Sequence, residues 1–177
     1  LRVADQLIVA AGVEDYTYLW WDVRPHPKLG TVEVRGMDVQ TDVATNTAIA
    51  ALIQALAAKE IDRGGTPSLT REALEESYHQ AGRHGLEARL MVDEGTAAPA
   101  REVARRRLEE ARPYAEQLGG AGALEEVERI LREGNGAALQ RRVHAEAGLD
   151  GLLTFLAHRT AGDGGLSQSP PARPVDA

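Results

Sequence analysis

"WWDVRPHPKLGTVEVRGMD", residues 20–38, is the stretch that decides the fold class. Side chains alternate between the two faces of a strand. In a first strand Trp20, Asp22 and Arg24 therefore share one face, and Leu19, Trp21 and Val23 the other. In a second strand Thr31, Glu33 and Arg35 point one way, and Val32 and Val34 the opposite way. Joined through "PHPKLG", the two predict an antiparallel hairpin with one apolar and one charged face. The charged face gathers a carboxylate, Glu33, with two guanidiniums, Arg24 and Arg35. Such a set suits a divalent cation on Glu33 and anionic oxygens on the arginines, as phosphoryl chemistry requires. It equally suits a solvated face of cross-strand ion pairs, and pattern alone leaves both open.

Around the hairpin the periodicity is helical. Leu1, Ala4, Leu7, Ile8 and Ala11 lie at helical spacing, and Gly12 ends that run. Thr41 and Asp42 can cap a long helix whose middle, "AIAALIQALA", is apolar nearly all round. Such a helix is expected to be buried, here against the apolar face of the hairpin. Gly64 and Gly65 should stop it, and Thr70 should open a helix reaching about Arg83. Thr96 and Pro99 are expected to start the next, with Ala104, Leu108, Ala111, Ala115 and Leu118 as its apolar stripe and Pro113 bending it. Gly119 and Gly120 end it. Further helices are expected near Leu124–Arg132, over Ala137–Ala147 after Asn135, and around Leu152, Leu153 and Leu156. The fold class is thus α+β, an antiparallel hairpin plus about six or seven helices. Residues 161–177, "AGDGGLSQSPPARPVDA", offer little to bury and read as a disordered tail, which leaves 1–160 as the folded portion.

Composition narrows the function classes. A formal charge of −7 argues against a general nucleic-acid coat, which needs a basic footprint. Arg105, Arg106 and Arg107, and likewise Arg141 and Arg142, sit among glutamates and read as solvated helix faces. The chain has no cysteine, so disulfides, thiol nucleophiles and cysteine–zinc sites are excluded. The apolar run Ala48–Ala58 is shorter than the roughly 20 residues a membrane span needs. Neither nucleic acid nor membrane is an expected partner, and the cytoplasm is the expected compartment. The histidines at 26, 79, 84, 144 and 158 lack metal-ligand spacing, and "GNG" at 134–136 reads as a helix stop followed by an N-cap. From the bend, His26 could reach a nucleotide, although a histidine flanked by prolines is more often simply exposed.

The motif "WWDVRPHPKLGTVEVRGMDVQ", followed by "AALIQAL", closely resembles the bacterial carboxylate–amine ligases of the glutamate–cysteine ligase type 2 family. The likeness continues through "GRHGLEARL", "PAREV" and "GNGAALQRRV" and covers about residues 1–160. "VEVRGMD" is also similar to the Glu-x-Arg strand of glutamine synthetases. The resemblance implies a glutamine-synthetase-like catalytic fold, a curved antiparallel sheet backed by helices. It implies Glu33 as a magnesium ligand, Arg35 as an arginine facing substrate or the transferred phosphate, and Arg24 as a nucleotide-phosphate arginine. A substrate- or nucleotide-binding role for Arg83 is implied too. The chemistry implied is ATP- and Mg2+-dependent joining of a carboxylate to an amine, glutamate to cysteine or another amine, through an acyl phosphate.

Two departures qualify the likeness. Family members begin with strands carrying metal-binding glutamates in a Glu-x-Glu pattern, and no such pattern precedes Leu1. The chain is therefore expected to be the C-terminal portion of a longer ligase, inactive alone, completed by the N-terminal half of its own domain. Bare sheet edges would also make it prone to homo-oligomerise. The second departure lies at Ser77, His79 and Gln80, where the family tends to show Asn, Trp and Arg, so substrate identity stays open. The rival reading is a non-catalytic helical interaction module that keeps the hairpin only as packing.

Overall fold

The computed structural model describes residues 2–64 and 68–162 and separates into two compact units, Leu1–Val39 and Gln40–Ala177. In the first unit, helix α1 (Arg2–Ala11) runs to the expected glycine, Gly12. A short 3-10 turn, Tyr16–Tyr18, follows, capped by Asp15, whose carboxylate accepts from the Thr17 amide at 2.8 Å. This turn lays Tyr16 and Leu19 onto Ala4 and Ile8 of α1, with Trp21 alongside, in a small core. Strands β1 (Val23–His26) and β2 (Thr31–Val34) then pair antiparallel with Arg24 opposite Glu33 and Pro25 opposite Val32.

The hairpin is where expected, but its first strand is not. It begins at Val23 rather than Leu19, because the Asp15-capped turn draws Leu19 into the α1 core. It also extends through Pro25 and His26, which were expected in the connection. Proline is tolerated there because each strand of a two-stranded sheet is an edge. The face expected to be apolar and buried is largely open to solvent: Val23 and Val32 are both exposed.

The second unit is built on helix α2 (Val43–Arg63). Asp42 caps it, accepting from the Thr45 amide at 2.8 Å, and Gly64 ends it. Gly65, the other expected stop, lies outside the described residues, as does 163–177 of the segment read as a tail. α2 packs chiefly on α4 (Ala100–Gln117) and α5 (Leu124–Glu133). Within the unit its neighbours are helices, and the core of the unit is helix on helix. Ala48 and Ala55 of α2 meet Leu108, Ala111 and Ala115 of α4 and Leu124, Val127 and Leu131 of α5. The alanines let the helix axes approach closely while leucines fill the remaining space. Of the expected α4 stripe, Leu118 falls just past the helix and is 47% exposed.

Between α2 and α4 come α3 (Arg71–His84), capped by Thr70 as expected, and a second antiparallel hairpin, β3 (Arg89–Asp93) with β4 (Thr96–Pro99). Residues 96–99 were expected to open the helix. They form a strand instead, and α4 starts only at Ala100, whose amide donates to the Ala88 carbonyl at 2.8 Å. Pro113 lies inside α4, which continues to Gln117. The last helix, α6 (Gly136–Ala161), is capped by Asn135. It is interrupted at Gly148 (φ 66°, ψ −168°), a conformation essentially reserved for glycine, so the two helices expected here are one after another with a sharp break. Its second half returns Arg159, buried, to the α2 cap, Nη2 donating to Asp42 Oδ2 at 2.6 Å. Among the described residues no helix is long and apolar enough to cross a membrane.

Candidate functional site

Cross-strand register sets the hairpin site. Because Arg24 and Glu33 are directly opposed, their side chains emerge side by side on one face. Arg24 Nε and Nη2 both donate to Glu33 Oε2, at 3.0 and 2.6 Å. Arg24 Nη1 turns back to donate to the Thr17 carbonyl at 2.7 Å, so the 3-10 turn holds this arginine from behind. Only 13% of its side chain is exposed, against 44% for Glu33.

Arg35 stands differently. Its amide donates to the Asp22 carbonyl at 2.6 Å, carrying the ladder one pair beyond the strands. Its Nε lies 3.7 Å from Glu33 Oε1, close enough for attraction and too far for a hydrogen bond. The Arg35 guanidinium carbon sits 5.4 Å from the centre of the Trp20 ring, a cation–π distance. Sequence reasoning placed Trp20 on this face but missed its contact with Arg35. The signal was present in the alternation that puts Trp20 two residues before Asp22, the backbone partner of Arg35.

The structure thus brings Arg24, Glu33 and Arg35 together. Arg83 lies in the second unit, exposed on the last turn of α3. The divergent positions of α3 have local partners: Ser77 Oγ accepts from the Met91 amide at 3.0 Å, tying α3 to β3, and Gln80 Nε2 donates to Glu76 at 2.7 Å. His26 is not in a free bend. It ends β1, with the Tyr16 hydroxyl 3.0 Å from its Nε2, and so helps fasten the 3-10 turn to the hairpin.

Arg35 keeps guanidinium donors that Glu33 does not take, and these favour anionic oxygens. The face fits a magnesium ion poorly. Mg2+ demands about six oxygen ligands, the carboxylates of this face are Asp22 and Glu33, and Glu33 Oε2 already receives two guanidinium hydrogen bonds. Among the described residues no three His, Asp or Glu side chains cluster to hold a metal.

Among the perturbed carboxyls of the second unit, Asp42, Glu126 and Glu110 are structural. Burial pushes the Asp42 carboxyl up, but hydrogen bonds from the Thr45 amide and the Arg159 guanidinium outweigh it and hold it below its ordinary value. Glu126 is held low by Arg129, aided by the Thr45 hydroxyl, which donates to it at 2.9 Å. Glu110 is held low by Lys59, at 2.7 Å, and by Arg107. All three fasten helix to helix.

Comparison with known proteins places these elements in context. The family model for Glutamate-cysteine ligase family 2 matches residues 2–166. A protein of Rubrobacter xylanophilus provisionally named glutamate–cysteine ligase 2-3 is 44% identical over 164 residues, covering 91% of this chain and 44% of that protein. A second from the same organism, provisionally named glutamate–cysteine ligase 2-1, is 39% identical over 161 residues, 88% of this chain and 43% of its own length. One from Thermobifida fusca, provisionally named glutamate–cysteine ligase 2, is 35% identical over 150 residues, 82% of this chain and 38% of its own length. The chain thus spans less than half the length of these relatives.

Proposed function

We propose, since the chain belongs to glutamate-cysteine ligase family 2, that it forms part of an ATP-dependent carboxylate–amine ligase that joins glutamate to cysteine. What supports the reading is the pairing of that membership with a hairpin face carrying Arg24, Glu33 and Arg35 in direct cross-strand register. A carboxylate is too poor an electrophile to acylate an amine. In the proposed reaction a glutamate side-chain oxygen attacks the γ-phosphorus of ATP and ADP leaves. The amine nitrogen then attacks the acyl carbon, the C–O bond to phosphate breaks, and the nitrogen loses a proton.

Both steps pass negative charge across phosphoryl oxygens, and preorganised guanidiniums lower the barrier by meeting that charge where it develops. Arg35, one third exposed and not hydrogen-bonded to Glu33, presents a planar fork to such oxygens. Arg24 adds charge from behind. Arg83 is assigned to substrate or nucleotide. Magnesium belongs to the reading as the ion that neutralises nucleotide phosphates. Glu33 is the hairpin carboxylate assigned to it, through Oε1, since Oε2 is taken by Arg24, and the remaining ligands would come from outside the described residues. Because Glu33 cannot by itself fix the ion, the 177-residue chain is expected to be inactive alone and to work with further sequence of its own domain. A cytoplasmic location and homo-oligomerisation are part of the same proposal. The experiment is to supply glutamate, cysteine and ATP to a protein of the relatives' length carrying this sequence. Production of the dipeptide with stoichiometric ADP and phosphate supports the reading. Its absence with glutamate and a panel of amines favours the interaction module.

A further inference from the structure

The two arginines of the hairpin face are held in different ways, and the difference assigns a role to a third residue. Arg24 has Nε and Nη2 on Glu33 and Nη1 on the Thr17 carbonyl, so most of its donors face the protein. Arg35 is held by its backbone bond to Asp22, a loose approach to Glu33 at 3.7 Å, and the ring of Trp20. An aromatic face attracts a guanidinium without taking its N–H donors, which lie in the plane and point outward. Trp20 itself is 82% exposed, an unusual state for the largest apolar side chain and one that core packing does not explain.

We propose that Trp20 is a positioning residue for Arg35. Its ring holds the guanidinium in place while leaving the planar donor edge open to a phosphoryl group, and Arg24 serves as the strut that fixes Glu33. This deepens the ligase reading and rests on its assignment of phosphoryl oxygens to the hairpin. Trp20 contributes orientation, and Arg35 contributes the contact. Binding therefore depends on Trp20 only while Arg35 is present.

The test is titration of inorganic tripolyphosphate, and separately of ATP, into a protein of the relatives' length carrying this sequence, by calorimetry, with melting temperatures recorded in parallel. Trp20→Leu should weaken both ligands about fivefold, as expected for losing one exposed cation–π contact. Trp20→Phe should restore most of that loss. In an Arg35→Met background, Trp20→Leu should add nothing. Because Trp20 is largely solvent-exposed, its variants should melt with the wild type. Unchanged binding in Trp20→Leu overturns the proposal and leaves the phosphoryl reading standing. A Trp20 effect that persists without Arg35, or that appears for ATP and not for tripolyphosphate, also overturns it, since the ring would then touch the ligand itself. If the wild-type protein binds neither anion, the phosphoryl reading fails, and the proposal with it.

Discussion

Leu108→Ala tests the helical core where it is most tightly built. Leu108 is 3% exposed and belongs to the same buried cluster as Ala48, Ala55, Ala111, Ala115, Leu124 and Leu131. The substitution removes three carbon groups, worth about 2.4 kcal/mol of transfer free energy at about 0.8 each. A residual void adds about 24 cal/mol for every Å3 that fails to collapse. Four of its cluster neighbours are alanines, with no rotamer able to reach into the space. However, Leu108 also borders the open groove between α4 and α5, lined by Arg105, Arg112 and Glu128, where partial relaxation is easy. The net expectation is about 3 kcal/mol, within a range of about 2–4. For a chain of this size that lowers the melting temperature by about 6–12 °C. Urea denaturation followed by circular dichroism gives the free energy directly, and Leu118→Ala is the internal control. Leu118 lies on the same expected stripe yet is 47% exposed, so its loss should cost less than about 1 kcal/mol. Equal, small effects at both positions would refute the packing described for α4.

Acid should loosen the second unit. Asp42, Glu110 and Glu126 are each held below their ordinary values in the folded chain, so the unfolded chain binds more protons and stability rises with pH. Their contribution is fully present above the unfolded values, about pH 4–4.5, and is lost as pH falls through the lowered ones. The melting temperature should fall steeply there, and Asp42→Asn, which cannot titrate, should flatten the curve; a wild-type melting temperature independent of pH between about 5 and 3 would contradict the network. Gly148→Ala forces a Cβ onto a backbone at φ 66° and ψ −168° and should cost about 1–3 kcal/mol. A melting temperature unchanged in that variant would mean α6 is not broken at Gly148.

The elements whose signals are local were legible. Asp42, Thr70 and Asn135 cap helices because their short polar side chains reach the free amides of the first turn. Gly64 and Gly134 end helices for want of a Cβ. The α4 stripe was readable from its period. What was not legible depends on contacts distant in sequence or on competition between local options. Residues 96–99 have a helix-start appearance, yet pairing with Arg89–Asp93 takes them into a strand. The first strand begins late because Tyr16 and Leu19 have a better partner in α1 than the hairpin gives them. At the site, alternation placed Arg24, Glu33 and Arg35 on one face. It could not say that Arg24 would turn to the Thr17 carbonyl while Arg35 turned to Trp20. That distinction depends on the 3-10 turn, which no periodicity announces.

The most direct measurement of the central claim is the turnover of Arg35→Lys in a protein of the relatives' length carrying this sequence, read beside its melting temperature. Lysine keeps the charge and loses the planar fork. Arg35 donates no hydrogen bond to Glu33, so the fold has little to lose from the change. The account predicts ATP-dependent glutamate–cysteine ligation reduced about a hundredfold or more, comparable to removing one preorganised contact of about 3 kcal/mol, with melting unchanged. Full turnover together with a lowered melting temperature would contradict it, making Arg35 a structural residue of the hairpin.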